Sequence, residues 1–297
     1  MKPTIDLATQ DEISSRYKNG ANMRQISESM NLGDKIVRNA LKRSKTPRRS
    51  RHETSTKFKF NEKAFDELTD DSAYWIGFLM ADGTIRARPL EHTFNISVTL
   101  EASDKGHLEK LKAFLNLDRP LYVRPPIRWR GIKEQAELQF NSEYTVNALA
   151  FYGVVPNKSL IASPAPILLN NNHFWRGLVD GDGHINISRQ KLPIIHLSGS
   201  HDVVHGFCEF GKTISNTSIS PRPIKGIFQA ALHGQNAVPV IRCLYLGATT
   251  YLDRKMDKAM KILDLVCPTC GTWMGKNPSW PHAEDIYNKI WKTDGIE

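Results

Sequence analysis

Two aspartates occupy matching places in two stretches of the chain. Asp82 closes the run Tyr74-Trp75-Ile76-Gly77-Phe78-Leu79-Met80-Ala81-Asp82-Gly83, and Asp182 closes Phe174-Trp175-Arg176-Gly177-Leu178-Val179-Asp180-Gly181-Asp182-Gly183. Both read aromatic-Trp-x-Gly, then apolar residues, then small-Asp-Gly, with the two acids 100 positions apart. Two carboxylates brought together repel each other, and at helix C-termini the macrodipole gives no relief. A divalent cation resolves the conflict. Carboxylate oxygens suit Mg²⁺ (or Mn²⁺), which keeps waters and accepts phosphate oxygens as further ligands. Metal between paired acids is a recurring way to activate water and stabilise the leaving oxygen in phosphodiester hydrolysis.

The elements that would bring these acids together can be read from the same runs. A glycine inside a helix costs ~1 kcal/mol relative to alanine. Gly77 and Gly177 make sense if another helix crosses closely there, because a missing side chain lets two backbones approach. Two such helices, packed on each other at Gly77 and Gly177, form a pseudo-twofold seam that sets Asp82 beside Asp182.

The residues after each run repeat as well. Thr84–Arg88 and the alternating run Phe94–Leu100 read as strands, and Ser103-Asp104 as the cap of a helix with Leu108, Leu111 and Leu115 inside. Leu121–Arg124 and Glu137–Phe140 read as further strands and Glu143–Phe151 as a closing helix. The second copy gives strands at His184–Ser188, Ile194–Ser198, Arg222–Ile224 and Ile227–Leu232, with helices near His201–Ile214, Gln235–Leu246 and Thr249–Leu265. Each copy is α-β-β-α-β-β-α, so the expected fold class is α+β, two pseudo-symmetric repeats plus a small all-α N-terminal domain. The expected domains are 1–46, a basic linker 47–68, a first repeat 69–168, and a second repeat with tail 169–297.

Within 297 residues, 40 Lys+Arg against 31 Asp+Glu leave a net charge of +9. That sign favours a polyanionic partner, whether DNA, RNA or an anionic membrane surface, although a merely solvated basic surface gives the same sum. No N-terminal signal pattern is present and no apolar run approaches the ~18 residues of a membrane span. Four cysteines in a chain of this length do not make a disulfide framework. The expected location is cytoplasmic, in a phage, bacterial or organellar matrix, with no membrane partner.

The N-terminal segment has its own pattern. Glu12, Ile13 and Tyr17 suit a first helix stopping at Asn19-Gly20, and Met23, Ile26 and Met30 a second. Asn31-Leu32-Gly33 is a turn, after which Asp34 can cap a third helix through Leu41. The arrangement resembles resolvase-like helix-turn-helix domains, with Lys35, Arg38, Asn39, Lys42 and Arg43 suited to a major groove. A three-helix bundle with a solvated basic face is the alternative. Arg48, Arg49 and Arg51 continue the charge into KRSKTPRRSR, which reads as a tether.

The doubled run ending in Asp-Gly, over roughly residues 70–265, resembles the LAGLIDADG endonuclease family in its two-motif, single-chain form. The resemblance implies eight strands forming a saddle over the major groove of double-stranded DNA, in a monomer, because one chain carries both halves. It implies metal binding by Asp82 and Asp182, aided by the main-chain carbonyls of Ala81 and Gly181. The earlier acid of the motif is Asp180 in the second copy but Met80 in the first, a position taken as non-catalytic. Lys158 in Val154-Val155-Pro156-Asn157-Lys158 and Lys255 after Tyr251-Leu252-Asp253-Arg254 look like the family's basic blocks, where a lysine polarises water or neutralises transition-state charge. Arg254 competes with Lys255 for that role, and a plain surface lysine is the other reading of each.

Arg86, Arg88, Arg124, Arg128 and Arg130 in the first repeat, with Arg189, Lys191, Arg222 and Lys225 in the second, are candidates for phosphate or base contacts. The implied activity is a site-specific, Mg²⁺-dependent double-strand cut by an intron-encoded or freestanding homing endonuclease. A non-cleaving DNA-binding regulator and an RNA maturase share the scaffold. An intein is disfavoured because the terminal nucleophile and His-Asn pair are absent. Cys267-Pro-Thr-Cys270 could be half a zinc site, with His282 and Cys243 as distant helpers, or part of a tail with Trp273, Trp280, Tyr287 and Trp291 packed on the second repeat.

Overall fold

The computed structural model describes residues 6–19, 21, 23–47, 58–126, 131, 133–158, 160–267 and 271–274. The chain divides into two compact units, Met1–Lys57 and Phe58–Glu297.

In the smaller unit, α1 (Leu7–Lys18), α2 (Met23–Ser29) and α3 (Asp34–Arg43) bury Ile13, Tyr17, Ile26, Val37, Ala40 and Leu41 together. Asp6 caps α1 by accepting from the Thr9 N–H at 2.6 Å. Asp34 does not cap α3 as expected. Gly33 holds the cap position and Asp34 is already helical, so its carboxylate acts on the helix only as a first-turn charge.

In the larger unit, the order is α4 (Asp70–Asp82), β1 (Gly83–Arg88), β2 (Thr93–Glu101), α5 (Lys105–Phe114), β3 (Tyr122–Arg124), β4 (Gln135–Asn141) and α6 (Glu143–Phe151). It then repeats as α7 (Asn172–Asp182), β5 (Gly183–Ile187), β6 (Pro193–Gly199), α8 (His201–Ser215), β7 (Arg222–Ile224), β8 (Ile227–His233) and α9 (Ala237–Tyr245), followed by α10 (Asp253–Leu263). The two four-stranded antiparallel sheets have the orders β1-β2-β4-β3 and β5-β6-β8-β7, the same topology twice. Both also start with the motif glycine opposite an apolar residue of the next strand, Gly83 opposite Val98 and Gly183 opposite Leu197.

Each motif helix is anchored at its start. Thr69 and Ser72 form a reciprocal capping box on α4, and the Asn171 side chain accepts from the Phe174 N–H at 3.0 Å on α7. Both helices end at the aspartate, and the following glycine opens a strand with no intervening loop. Contrary to expectation, Asp104 makes no capping hydrogen bond on α5; its carboxylate binds Arg254 at 2.8 Å instead. A guanidinium from another element competes successfully here because a 3₁₀ turn (Ala102–Asp104) already satisfies part of the helix entry.

The seam lies where the glycines stand. A methyl at Gly77 would fall on the Phe174 carbonyl oxygen and 3.0 Å from the Leu178 nitrogen; one at Gly177 would fall on the Tyr74 carbonyl oxygen and 2.7 Å from the Phe78 nitrogen. The two contacts mirror each other, as a twofold crossing requires. Around it, Tyr74, Trp75, Phe78, Phe174 and Trp175 are buried in one core with the inner faces of both sheets. Part of the tail packs on the second repeat as expected: Trp273 bridges Val266 and donates from Nε1 to the Lys191 carbonyl at 3.0 Å. Trp280, Tyr287, Trp291, His282 and Cys270 lie outside the described residues, and Cys267 is buried. Among the described residues, no helix is long and apolar enough to cross a membrane.

Candidate functional site

The crossing of α4 and α7 leaves their C-terminal ends together. Position 181 sits against Ala81, and the Asp82 carboxylate lies against it too, with Oδ2 3.4 Å from where a Gly181 Cβ would stand. A side chain at 181 would collide with Ala81, so the small residue before each aspartate is what lets the ends converge. Asp82 is half-buried and Asp182 keeps solvent access.

Burial, and then the negative charge of Asp182, push the Asp82 carboxyl up to about 6, against the pull of Lys158 and Lys255. Burial also raises Asp182, opposed by the same two lysines. The acids are therefore incompletely neutralised by the chain itself. Protein packed beneath them strips water from charges that remain close.

Lys158 follows α6 in a turn whose shape depends on Gly153 at φ +91°, where a Cβ would strike the Ser163 carbonyl. Its main-chain carbonyl accepts from Ile161 and Ala162, and its Nζ donates to the Ala81 carbonyl at 2.6 Å. Burial holds its pKa below the usual lysine value. Lys255, in the first turn of α10, is buried and donates to the Val179 carbonyl at 3.0 Å and to the Gly183 carbonyl. Burial brings it down to about 8. Arg254, its competitor, is held by Asp104, so Lys255 is the cation that reaches the end of α7.

A cavity of about 230 Å³ opens beside these groups, lined by Ala81, Lys158 and Asp182 together with Ser198 and Gly199 of β6 and Ser200, the cap of α8. Two carboxylates with nearby main-chain carbonyls form an all-oxygen donor set, which fits a hard divalent cation. Among the described residues, no group of three or more His, Cys, Asp or Glu is placed to hold a metal, so such an ion would draw its remaining ligands from carbonyls, water and substrate.

The outer faces of the sheets are polar. Thr84, Arg86 and Arg88 of β1 align with Ser97, Asn95 and Thr93 of β2, and Gln139 and Asn141 of β4 continue the first two rows. Arg86 is exposed; Arg88 pairs with Glu91 at 3.3 Å, and Arg124 is paired with Glu137. In the second sheet, Arg222 and Lys225 are exposed, as is Arg189 in the β5–β6 turn. Arg48, Arg49, Arg51, Arg128 and Arg130 fall outside the described residues. On α3, Lys35, Arg38, Asn39, Lys42 and Arg43 are all exposed on one face, opposite Val37, Ala40 and Leu41.

Two features escaped sequence reading. The second sheet presents His184, His196 and His233 with Gln229 and Ser198 beside Arg222; Gln229 Nε2 lies 3.1 Å from both His196 Nδ1 and Ser198 Oγ. Burial brings His196 down to about 4. The alternation in Gly183–Ile187 and Pro193–Gly199 carried the signal, since every second residue is polar or histidine in the first strand and partly so in the second. The other feature is a buried hydrogen-bond cluster on Asp180, signalled by an acid inside an apolar helical run.

No family model and no curated protein matches the chain. Among solved structures, it is similar to the homing endonuclease I-WcaI bound to its DNA recognition sequence, at 15% identity over 66% of this chain and 91% of that one, TM-score 0.47. It is similar to the LAGLIDADG homing endonuclease I-GzeII in complex with its DNA target, at 10% identity over 66% and 88%, TM-score 0.43. A third is I-SmaMI bound to uncleaved DNA with calcium ions, at 14% identity over 66% and 90%, TM-score 0.40.

Proposed function

We propose that this chain is a site-specific DNA endonuclease of the LAGLIDADG homing type, intron-encoded or freestanding, making a metal-dependent double-strand cut as a monomer. The observation that carries the reading is the convergence of Asp82 and Asp182 at the ends of two helices that cross on Gly77 and Gly177. Two neighbouring acids with raised pKa values, one of them half-buried, are a liability to folding, and a cation is what makes the arrangement useful.

Asp82 and Asp182 would hold Mg²⁺ or Mn²⁺, with the carbonyls of Ala81 and Gly181 as neighbouring donors. When bound, the ion supplies charge neutralisation at the phosphate and a lowered pKa for water. Lys158 orients the Ala81 carbonyl and keeps a positive charge beside both acids, while Lys255 does the same from below the end of α7. In the hydrolysis, water oxygen bonds to phosphorus, one P–O bond breaks, and the departing oxygen takes up a proton. The Arg- and Asn-bearing face of the first sheet and the His- and Gln-bearing face of the second would lie along the major groove as a saddle, where such side chains hydrogen-bond base edges. The exposed face of α3 would add a helix-turn-helix contact elsewhere on the same DNA.

The test is direct. Purified protein is incubated with a randomised-target duplex library and Mg²⁺, and the cut ends are sequenced. A single long target with both strands cut, and no cutting with EDTA, supports the proposal. Binding without any cut points to a DNA-binding regulator, and preference for structured RNA points to a maturase.

A further inference from the structure

Asp180 departs from the twofold symmetry of the motifs, because its counterpart is Met80. It is fully buried, yet each hydrogen bond to its carboxylate comes from outside α7. Oδ2 accepts from the Tyr74 hydroxyl on α4 at 2.7 Å and from the Leu252 N–H at 2.7 Å; Oδ1 accepts from the Tyr245 hydroxyl on α9 at 2.6 Å. Three donors on one buried carboxylate offset much of its desolvation, and the loss of any leaves a buried polar group unmatched.

Leu252 is the residue from which α10 starts, three positions before Lys255. The same turn is also tied to the first repeat: Lys110 donates to the Tyr251 carbonyl at 2.9 Å and pairs with Asp253 at 2.6 Å, Arg254 pairs with Asp104, and Thr250 donates to Asp71 at 2.5 Å. Three of these four outer contacts involve an exposed partner (Asp253, Arg254 or Asp71), and exposed pairs of this kind are individually weak. Two buried side chains of α7 anchor the turn more firmly: Arg176 donates from Nε to the Thr250 carbonyl at 2.8 Å, and Asp180 holds Leu252, the cap residue of α10. Lys158 has no equivalent: Met80 offers no acceptor, and the loop of Lys158 is set by main-chain bonds instead.

We propose that Asp180 is a positioning residue for Lys255, holding the start of α10 through Leu252 and referring it, through Tyr74, to the motif helix of the other repeat. The inference rests on the nuclease reading for its kinetic consequence. It makes the centre asymmetric: one lysine is fixed by a buried carboxylate shared between repeats, the other by its own loop.

Strand-resolved cleavage tests this. In single-turnover assays on a duplex labelled on both strands, Asp180→Asn is expected to accumulate nicked product, slowing one strand by about tenfold more than the other. Lys255→Met should slow the same strand, and adding Asp180→Asn to Lys255→Met should change neither rate further. Equal slowing of both strands, or fully multiplicative losses in the double variant, overturns the proposal.

A second readout needs no cleavage. Competitive acetylation of the folded protein, read by mass spectrometry, should show Lys255 protected in the parent chain and at least about threefold more reactive in Asp180→Asn, with Lys158 unchanged. Unchanged Lys255 reactivity overturns the proposal even where the nuclease reading holds. If the parent chain cuts no duplex, the nuclease reading falls and acetylation still decides the positioning. Tyr245→Phe removes a single hydroxyl and serves if Asp180→Asn does not fold; the same selective rise at Lys255 is expected, smaller in size, and its absence overturns the proposal.

Discussion

The Lys158 amine donates to the Ala81 main-chain carbonyl at 2.6 Å, one residue before the acid that ends the first motif helix. A charge from the connecting segment is thereby held at the end of α4, where unsatisfied carbonyls and two carboxylates accumulate negative potential. Lys255 does the same at the end of α7, through Val179 and Gly183.

Replacing Lys158 with methionine keeps most of its packing and removes the charge. Single-turnover cleavage should fall by about 10²–10³, in the range of losing one charge-stabilising donor, with binding of uncut target nearly unchanged. A gel-shift titration beside the rate measurement separates the two; a fall in affinity with an unchanged rate would contradict the account.

The seam predicts a stability effect. Gly77→Ala or Gly177→Ala puts a methyl onto backbone atoms of the facing helix, which cannot step aside as a side chain could. Either variant should lose about 3 kcal/mol or more, near the upper end for overpacking, and drop in Tm by roughly 6–12 °C for a unit of this size. Thermal melts followed by circular dichroism check this, and an unchanged Tm would contradict a close crossing.

These two classes of residue were not equally legible in the sequence. The repeat, its element order, the crossing glycines and the paired acids could be read because each recurs: a motif seen twice with the same sequel specifies its own geometry. Asp180 could not be assigned, since its partners Tyr74, Tyr245 and Leu252 are 106, 65 and 72 positions away and no local pattern links them. Helix starts failed for a similar reason at Asp104. Local capping chemistry favoured it, and a guanidinium 150 positions on took the carboxylate. The polar face of the second sheet is built on histidine and glutamine, which lack the fixed charge that marks a groove-facing strand in sequence.

The raised acids predict a pH-dependent response to Mg²⁺. Asp82 binds its proton more tightly in the folded chain (about 6) than in an unfolded chain (~3.9), so its protonation stabilises the fold as pH falls through that window and its ionisation opposes folding above it. Asp182 shifts the same way, and Lys255 (about 8) is charged at pH 5 and still mostly charged at pH 7.5. Millimolar Mg²⁺ should therefore raise Tm clearly at pH 7.5 and little at pH 5, with Asp82→Asn removing most of the difference. An equal Mg²⁺ shift at both pH values would contradict metal binding at these carboxylates.

The outer face of α3 makes a prediction about salt. Arg38→Ala with Lys42→Ala should weaken binding to a long duplex and reduce the slope of log affinity against log salt by roughly 2, as expected if each side chain displaces one counterion. Titrations at several salt concentrations read the slope. An unchanged slope would mean that this basic face is merely solvated.

Cleavage of the selected target by Asp82→Asn and by Asp182→Asn, each beside the parent chain in Mg²⁺, bears most directly on the paired acids. Either variant should lose double-strand cutting by a factor of at least about 10³ while still binding the target. Cutting at the parental rate by either one would contradict the assignment of these two aspartates as the catalytic centre.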